Sequence, residues 1–206
     1  MYNCIIFDVD GTLIDTEFAV LSSLQKLAFE ELNREFSFDE LRFALGIPGE
    51  SALSKIGIAN VIEANDKWNE YFKDYFSSIR VFDNINDTLA KLKEMNILMG
   101  IVTSKTKDEY NNDFLPYGIS EYFSYVVCAD DTEKHKPNPD PILKFIEISN
   151  SSKTNTIYVG DTKYDMACAY SAGVDFGLAL WGANNPSEIK ATYNIETPKL
   201  LLSLVK

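Results

Sequence analysis

The chain has 206 residues, 46% hydrophobic and 24% charged, a size and composition that suit a soluble globular core with a smaller insert. Its formal net charge of −12 argues against nucleic acid or an anionic membrane surface as the main partner, since both require a basic face. No apolar run approaches the length that spans a bilayer, and no basic segment leads into an apolar signal core at the N-terminus, so a cytoplasmic protein is expected.

The first predicted element is a strand at residues 4–7, Cys4-Ile5-Ile6-Phe7, running straight into Asp8-Val9-Asp10-Gly11-Thr12-Leu13. Side chains two apart on an extended segment share a face, so Asp8 and Asp10 project together where the strand ends. In open α/β sheets ligands sit just beyond the carboxyl ends of the strands, which makes this crevice a candidate active site. An ordinary polar turn is the competing reading of the same residues.

Residues 15–80 carry helical periodicity with no intervening strand. Phe18, Leu21, Leu24, Leu27, Ala28 and Leu32 recur at helical spacing. Ser37 with Glu40 forms a capping box that opens a second helix, which Gly46-Ile47-Pro48-Gly49 closes. Residues 60–79 are expected to form one further helix, with an aromatic stripe of Trp68, Tyr71, Phe72, Tyr75 and Phe76. That stripe is assigned mainly to the insert's own core, with part of it free to face the crevice.

From residue 81 onward short apolar runs alternate with amphipathic stretches, the pattern of a parallel sheet with crossover helices. Strands are predicted at 98–102, 125–128, 156–159 and 176–180, and helices at 85–95, 107–115, 139–148 and 164–172. Pro139 reads as the first residue of its helix with Asn138 as the cap. The fold class is therefore α/β: a Rossmann-like parallel core from residues 1–14 and 81–206, with an all-helical insert at 15–80. Cys4, Cys128 and Cys168 lie in or beside apolar runs without metal-ligand spacing and are expected to be buried thiols. The single histidine, His135, is expected to be solvated loop. No exposed apolar repeat demands a partner, which favours a monomer.

Each later strand delivers polar groups at its carboxyl end: Thr103-Ser104-Lys105, then Lys136, then Gly160-Asp161-Thr162-Lys163-Tyr164-Asp165. Taken singly these are a helix cap, a solvated charge and a turn. Together they place carboxylates, hydroxyls and a lysine on one face of the sheet.

In these motifs the chain resembles the haloacid dehalogenase superfamily of phosphotransferases, in the branch with a helical cap after the first strand. Asp8-Val9-Asp10-Gly11-Thr12, Thr103-Ser104, Lys136-Pro137-Asn138-Pro139 and Gly160-Asp161 with Asp165 match its four signature motifs in order. The resemblance implies an aspartyl phosphate on Asp8, with Asp10 alternating as proton donor and acceptor. It implies further that Asp8, the backbone carbonyl of Asp10, and Asp161 bind a metal, with Asp165 a ligand either directly or through water. Two carboxylates about 4 Å apart repel by about 4 kcal/mol at an effective dielectric near 20, so such a site needs a cation to accept phosphate. Oxygen ligands and a phosphoryl substrate point to Mg²⁺. Lys136 would add a fixed positive charge, Thr103 would donate to the phosphoryl oxygens, and Gly11, Thr12, Ser104 and Lys105 would complete the phosphate cradle. Asp15 and Glu17 are assigned to a hinge or helix start.

The expected activity is Mg²⁺-dependent hydrolysis of a small phosphorylated metabolite, in the manner of the phosphoglycolate phosphatase-like branch. Ala44-Leu45-Gly46-Ile47-Pro48-Gly49 and Leu180-Trp181-Gly182 resemble that branch, and contacts to the leaving group are expected around 46–51. The alternatives are a β-phosphoglucomutase-like phosphotransferase, which usually carries an acidic residue in place of Gly160, and a non-catalytic binding protein on the same scaffold, which should have lost one of the signature residues. A phosphonoacetaldehyde hydrolase would need a desolvated lysine in the cap, and Lys26, Lys55, Lys67 and Lys73 are the candidates there.

Overall fold

A computed structural model describes all 206 residues. Strand β1 is Cys4–Phe7, and its alternating side chains are divided between two cores. Ile5 and Phe7 join the larger cluster on one face of the sheet, while Cys4 and Ile6 join the cluster on the other. Both faces are thus covered, which is why β1 reads as an uninterrupted apolar run.

The later strands are β4 (Leu98–Val102), β5 (Tyr125–Val127), β6 (Thr156–Gly160), β7 (Asp175–Ala179) and β8 (Tyr193–Ile195). They form a six-stranded sheet in the order β5-β4-β1-β6-β7-β8, parallel at every pairing. β1 lies between β4 and β6, with Phe7 opposite Ile101 and Val159. That register brings the residues following three neighbouring strands to one edge of the sheet. Helices α5 (Ile85–Glu94), α6 (Lys107–Asp113), α7 (Asp140–Ser149) and α8 (Lys163–Ala172) connect the strands. α5 supplies Ile85, Leu89 and Leu92 to the larger cluster, and α7 supplies Ile142 and Phe145 to the other.

Between the ends of β1 and α5 the chain first forms β2 (Ile14–Asp15), which pairs antiparallel with β3 (Arg80–Val81). This two-residue ribbon ties together the two ends of the helical insert, α1 (Glu17–Leu32), α2 (Phe38–Leu41), α3 (Gly49–Ile56) and α4 (Val61–Lys73). The insert has its own core, in which Leu21, Leu24 and Leu27 of α1 meet Leu41, Leu53 and Trp68.

Several local expectations are corrected. The helix opened by the Ser37–Glu40 capping box lasts one turn and passes into a tight 3-10 turn at Arg42–Ala44. Gly49 begins a helix rather than closing one, and Gly57, at φ +95°, ends it in the left-handed region that glycine adopts without strain. The stretch 60–79 is not one helix: Asn60 is the cap of α4, the helix stops at Lys73, and a short turn at Phe76–Ser78 redirects the chain to Arg80. Its aromatic stripe is shared between cores, with Trp68 in that of the insert and Phe72 in the larger cluster of the sheet domain. α7 starts at Asp140, with Pro139 in the cap position, and the Asn138 amide donates instead to the His135 carbonyl. His135 is half-buried, and its shielded Nδ1 has no hydrogen-bond partner. β8 was not anticipated, because it is three residues long and buries only Ile195. All three cysteines are buried free thiols, and no helix is long and apolar enough to cross a membrane.

Candidate active site

The turn after β1 is wound on one carbonyl. Val9 O accepts from the amides of Thr12, Leu13 and Ile14 at 3.3, 2.8 and 3.1 Å. Gly11 has φ +74°, and a Cβ there would lie 2.3 Å from Asp161 Oδ2, so the position has both a backbone and a packing reason for glycine. The turn leaves the Asp8 side chain almost wholly buried and that of Asp10 partly open, at 2% and 23% exposure. Thr12 does not face the crevice freely: its hydroxyl donates to Asp161 Oδ1 at 3.2 Å and fixes the loop after β6 to the loop after β1.

Carboxylate oxygens of Asp8, Asp161 and Asp165 lie within 4.8 Å of one another, all three residues buried. Lys136 is the ammonium set among them, with Nζ 2.9 Å from Asp8 Oδ1 and 2.8 Å from Asp165 Oδ1. Burial opposes the lysine's charge, but Asp165 and Asp8 together raise its pKa above the ordinary lysine value. Burial in turn pushes Asp8 up to about 7 despite the pull of Lys136, and Asp165 and Asp10 add to the rise. Burial, reinforced by Asp165 and Asp8, also raises Asp161 well above the ordinary carboxylate range. Three carboxylates face one ammonium, so the site is short of positive charge.

Asp165 is the most fully bonded of the three. Its Oδ1 receives Lys136 and lies 2.9 Å from the Tyr158 hydroxyl, while its Oδ2 accepts from the Thr162 amide at 3.0 Å and the Thr162 hydroxyl at 2.6 Å. The Thr162 contacts are the capping box that opens α8, so the helix start and the lysine anchor are the same carboxylate. Asp161, by contrast, accepts only the Thr12 hydroxyl among side-chain donors.

The loop after β4 brings in Thr103, which is buried and whose Oγ1 accepts from the Lys105 amide at 3.2 Å. The Ser104 hydroxyl donates to the Gly46 carbonyl at 3.0 Å and so joins the sheet loop to the insert. Lys105 Nζ lies 3.3 Å from Asp10 Oδ1, an ion-pair distance without hydrogen-bond alignment, and donates to Asp113 Oδ2 at 3.1 Å. Burial works against the lysine's charge, and Asp10 and Asp113 overcome it to raise its pKa. Above these groups a cavity of about 90 Å³ separates sheet and insert, with Asp8 and Asp10 at its base and Leu45, Gly46, Ile47, Trp68 and Phe72 in its walls. Asp15 and Glu17 stand outside this cavity: Asp15 pairs with Arg80 across the ribbon, and Glu17 holds Arg42.

Residues 5–179 match the family model described as haloacid dehalogenase-like hydrolase. The chain belongs to the haloacid dehalogenase-like hydrolase family. A protein of Caldanaerobacter subterraneus bearing the name pyrophosphatase PpaX is 32% identical, the match covering 98% of this chain and 94% of that one. Pyrophosphatase PpaX of Oceanobacillus iheyensis is 28% identical over 98% of this chain and 95% of its own. Among solved structures, a Lactobacillus plantarum protein described as a phosphoglycolate phosphatase superposes with a TM-score of 0.90 at 27% identity, over 99% of each chain.

Within this haloacid dehalogenase-like hydrolase, the contacts of four positions at the site are not legible in the sequence. Tyr158, fully buried, accepts from Lys136 at 3.2 Å and stands against Asp165; in the sequence it is one more apolar residue of a strand. Asp113, eight positions beyond Lys105, has no local spacing that marks it as a partner. The Trp181 indole donates to the Thr12 carbonyl at 2.9 Å, and a Cβ on Gly182 would lie 1.7 Å from Gly11 O. Trp181-Gly182 could be read from the sequence only as family resemblance, and its contact with the loop after β1 depends on the fold.

Proposed function

We propose that this chain is a Mg²⁺-dependent phosphatase that hydrolyses a small phosphomonoester through an aspartyl phosphate on Asp8. The observation that carries the proposal is the placement of Lys136 Nζ 2.9 Å from Asp8 Oδ1 within a buried group of three carboxylates. Such a site favours a nucleophile with a fixed counter-charge and has oxygen donors left for a hard cation. The residues fit that ion: the donors are carboxylates, the local charge is negative, and Asp161 accepts from a single side-chain donor, the Thr12 hydroxyl. Asp8, Asp161 and the Asp10 carbonyl would hold Mg²⁺, which polarises the phosphoryl oxygens when bound. The bonds already made by both Asp165 oxygens support a role in positioning Lys136, with any contact to the metal made through water.

In the first step an Asp8 oxygen attacks phosphorus, the bond from phosphorus to the ester oxygen breaks, and Asp10 delivers a proton to the departing alkoxide. In the second, Asp10 takes a proton from a water whose oxygen attacks phosphorus, and the bond to Asp8 breaks to release inorganic phosphate. Lys136 offsets the repulsion between nucleophile and phosphate, and Thr103 with the amides after it would donate to the phosphoryl oxygens. Gly11 and Thr12 set the loop, while Ser104 and Lys105 support the cradle's rim. Residues 15–80 act as a cap domain over a core of 1–14 and 81–206, excluding water from the transfer, and the enzyme works in the cytoplasm.

Gly160 supports this reading over a mutase, since a Cβ there would lie 2.6 Å from both Cβ and Cγ of Asp165 and an acidic side chain would have to displace that residue. None of Lys26, Lys55, Lys67 or Lys73 lines the cavity, which disfavours a Schiff-base route. Incubation with p-nitrophenyl phosphate is expected to release phosphate only with Mg²⁺ present, and trapping with beryllium fluoride should place the adduct on Asp8. Undiminished turnover in excess chelator, or in Asp8→Asn, refutes the mechanism.

A further inference from the structure

The charged groups lining the cavity between sheet and insert are Asp8, Asp10, Lys105, Glu109 and Asp113. Its only cation is Lys105, already held between Asp10 and Asp113 at 3.3 and 3.1 Å. The insert contributes apolar walls from Leu45, Ile47, Trp68 and Phe72 and two amides, Asn65 and Asn69, but no basic residue. A second opening onto Asp10 is lined by Asp15, Glu17 and Asp161 and has no cation in its lining. Arg42 and Lys163 border a separate cavity beside Asp161, and Arg42 is occupied by Glu17 and Asp39.

Lys136 is held by Asp8 and Asp165, Arg42 and Lys105 are already paired, and the unpaired Lys163 lies in the separate cavity, so no unpaired cation lines the space above Asp10. An anionic leaving group seated there would meet Glu109 and Asp10 with Lys105 as the only lining cation, and that lysine is already shared by Asp10 and Asp113. An uncharged alcohol meets no such penalty. Its carbon skeleton suits Ile47, Trp68 and Phe72, and its hydroxyls suit the two amides. The Asn69 amide already donates to Glu109 Oε1 at 3.2 Å, which shows that polar groups of insert and core meet across this space.

We infer that the leaving group is a small uncharged alcohol, and that neither a second phosphate nor a carboxylate-bearing alcohol is the preferred one. This deepens the phosphatase reading and rests on it; it also sets this chain apart from what the names of its relatives would suggest. Ile47, Trp68 and Phe72 of the insert wall this space and favour a small alcohol.

The test compares kcat/KM for glycerol 3-phosphate, 2-phosphoglycolate and inorganic pyrophosphate with Mg²⁺, using p-nitrophenyl phosphate to establish basal phosphatase activity. Glycerol 3-phosphate is expected to exceed both anionic-leaving-group substrates by about 100-fold or more. Equal or better turnover of pyrophosphate or phosphoglycolate overturns the inference and leaves the phosphatase reading intact. Absence of turnover with all four substrates overturns the phosphatase reading itself. Asn65→Lys supplies the missing cation, and Glu109→Gln removes one repelling charge while keeping the helix cap. Each is expected to raise the ratio of anionic to neutral turnover by about 10-fold. An unchanged ratio in both would show that the departing group does not occupy this cavity.

Discussion

Lys136→Met removes the one ammonium that faces two buried carboxylates. Each attraction, at 2.9 Å to Asp8 and 2.8 Å to Asp165, corresponds to about 6 kcal/mol at an effective dielectric near 20. The desolvation of three charged groups offsets much of this, and breaking a buried pair by deleting one partner typically costs about 3–5 kcal/mol. For a chain of this size that is a fall in Tm of about 6–20 °C. The loss should depend on pH. Asp8 is raised from 3.8 to about 7, so the metal-free fold holds a proton that the unfolded chain has released, and its stability declines as pH rises through that window. Lys136 is the group that pulls Asp8 down, so the variant's deficit grows from pH 5.5 to pH 8. Thermal melts of both proteins in chelator at those two pH values measure it. The kcat on p-nitrophenyl phosphate should fall by about 100-fold to 1,000-fold, the scale of losing one preorganised charge-stabilising group. Adding Asp165→Asn should restore part of the stability and none of the turnover. A variant within about 2 °C of the parent at pH 8, with kcat reduced less than about 10-fold, would refute the counter-charge role.

Gly182→Ala tests the clamp on the loop after β1. Its Cβ would lie 1.7 Å from Gly11 O and 2.7 Å from Gly11 C, both backbone atoms, so the loop after β1 must move. Overpacking of this kind costs about 1–3 kcal/mol, and displacement of the reacting groups by about 1 Å lowers kcat about 100-fold; native circular dichroism with wild-type kcat would contradict the clamp. The thiols give an independent check on burial, which raises Cys4 and pushes Cys128 and Cys168 each up to about 12. A thiol-selective reagent at pH 8 should leave the native protein unlabelled and modify all three cysteines after denaturation, as counted by mass spectrometry.

The strand-and-helix alternation after residue 81 is legible in the sequence because hydrophobic period and capping chemistry act over a few residues. Thr106 with Glu109 and Thr162 with Asp165 are capping boxes whose two halves lie three positions apart. The carboxylate pair after β1 is legible for the same reason, since a strand's pleat alone aligns Asp8 with Asp10. The insert is readable as helical but not in detail. α3 depends on a left-handed Gly57 and on burial of Leu53 beside Leu24, whereas β2 and β3 are two residues each and exist only because the insert's ends meet. What Asp165 does is likewise decided in three dimensions. Its spacing from Thr162 announces a helix cap, and only the crossing of the chain brings Lys136 and Tyr158 to its other oxygen. Thr12 reaches Asp161 across 149 positions, and Trp181 reaches the Thr12 carbonyl across 169. Local order follows from backbone geometry and neighbouring side chains, which a sequence carries explicitly. The charge balance of the cavity depends on which cations the fold leaves outside it, and that is settled only when distant segments pack.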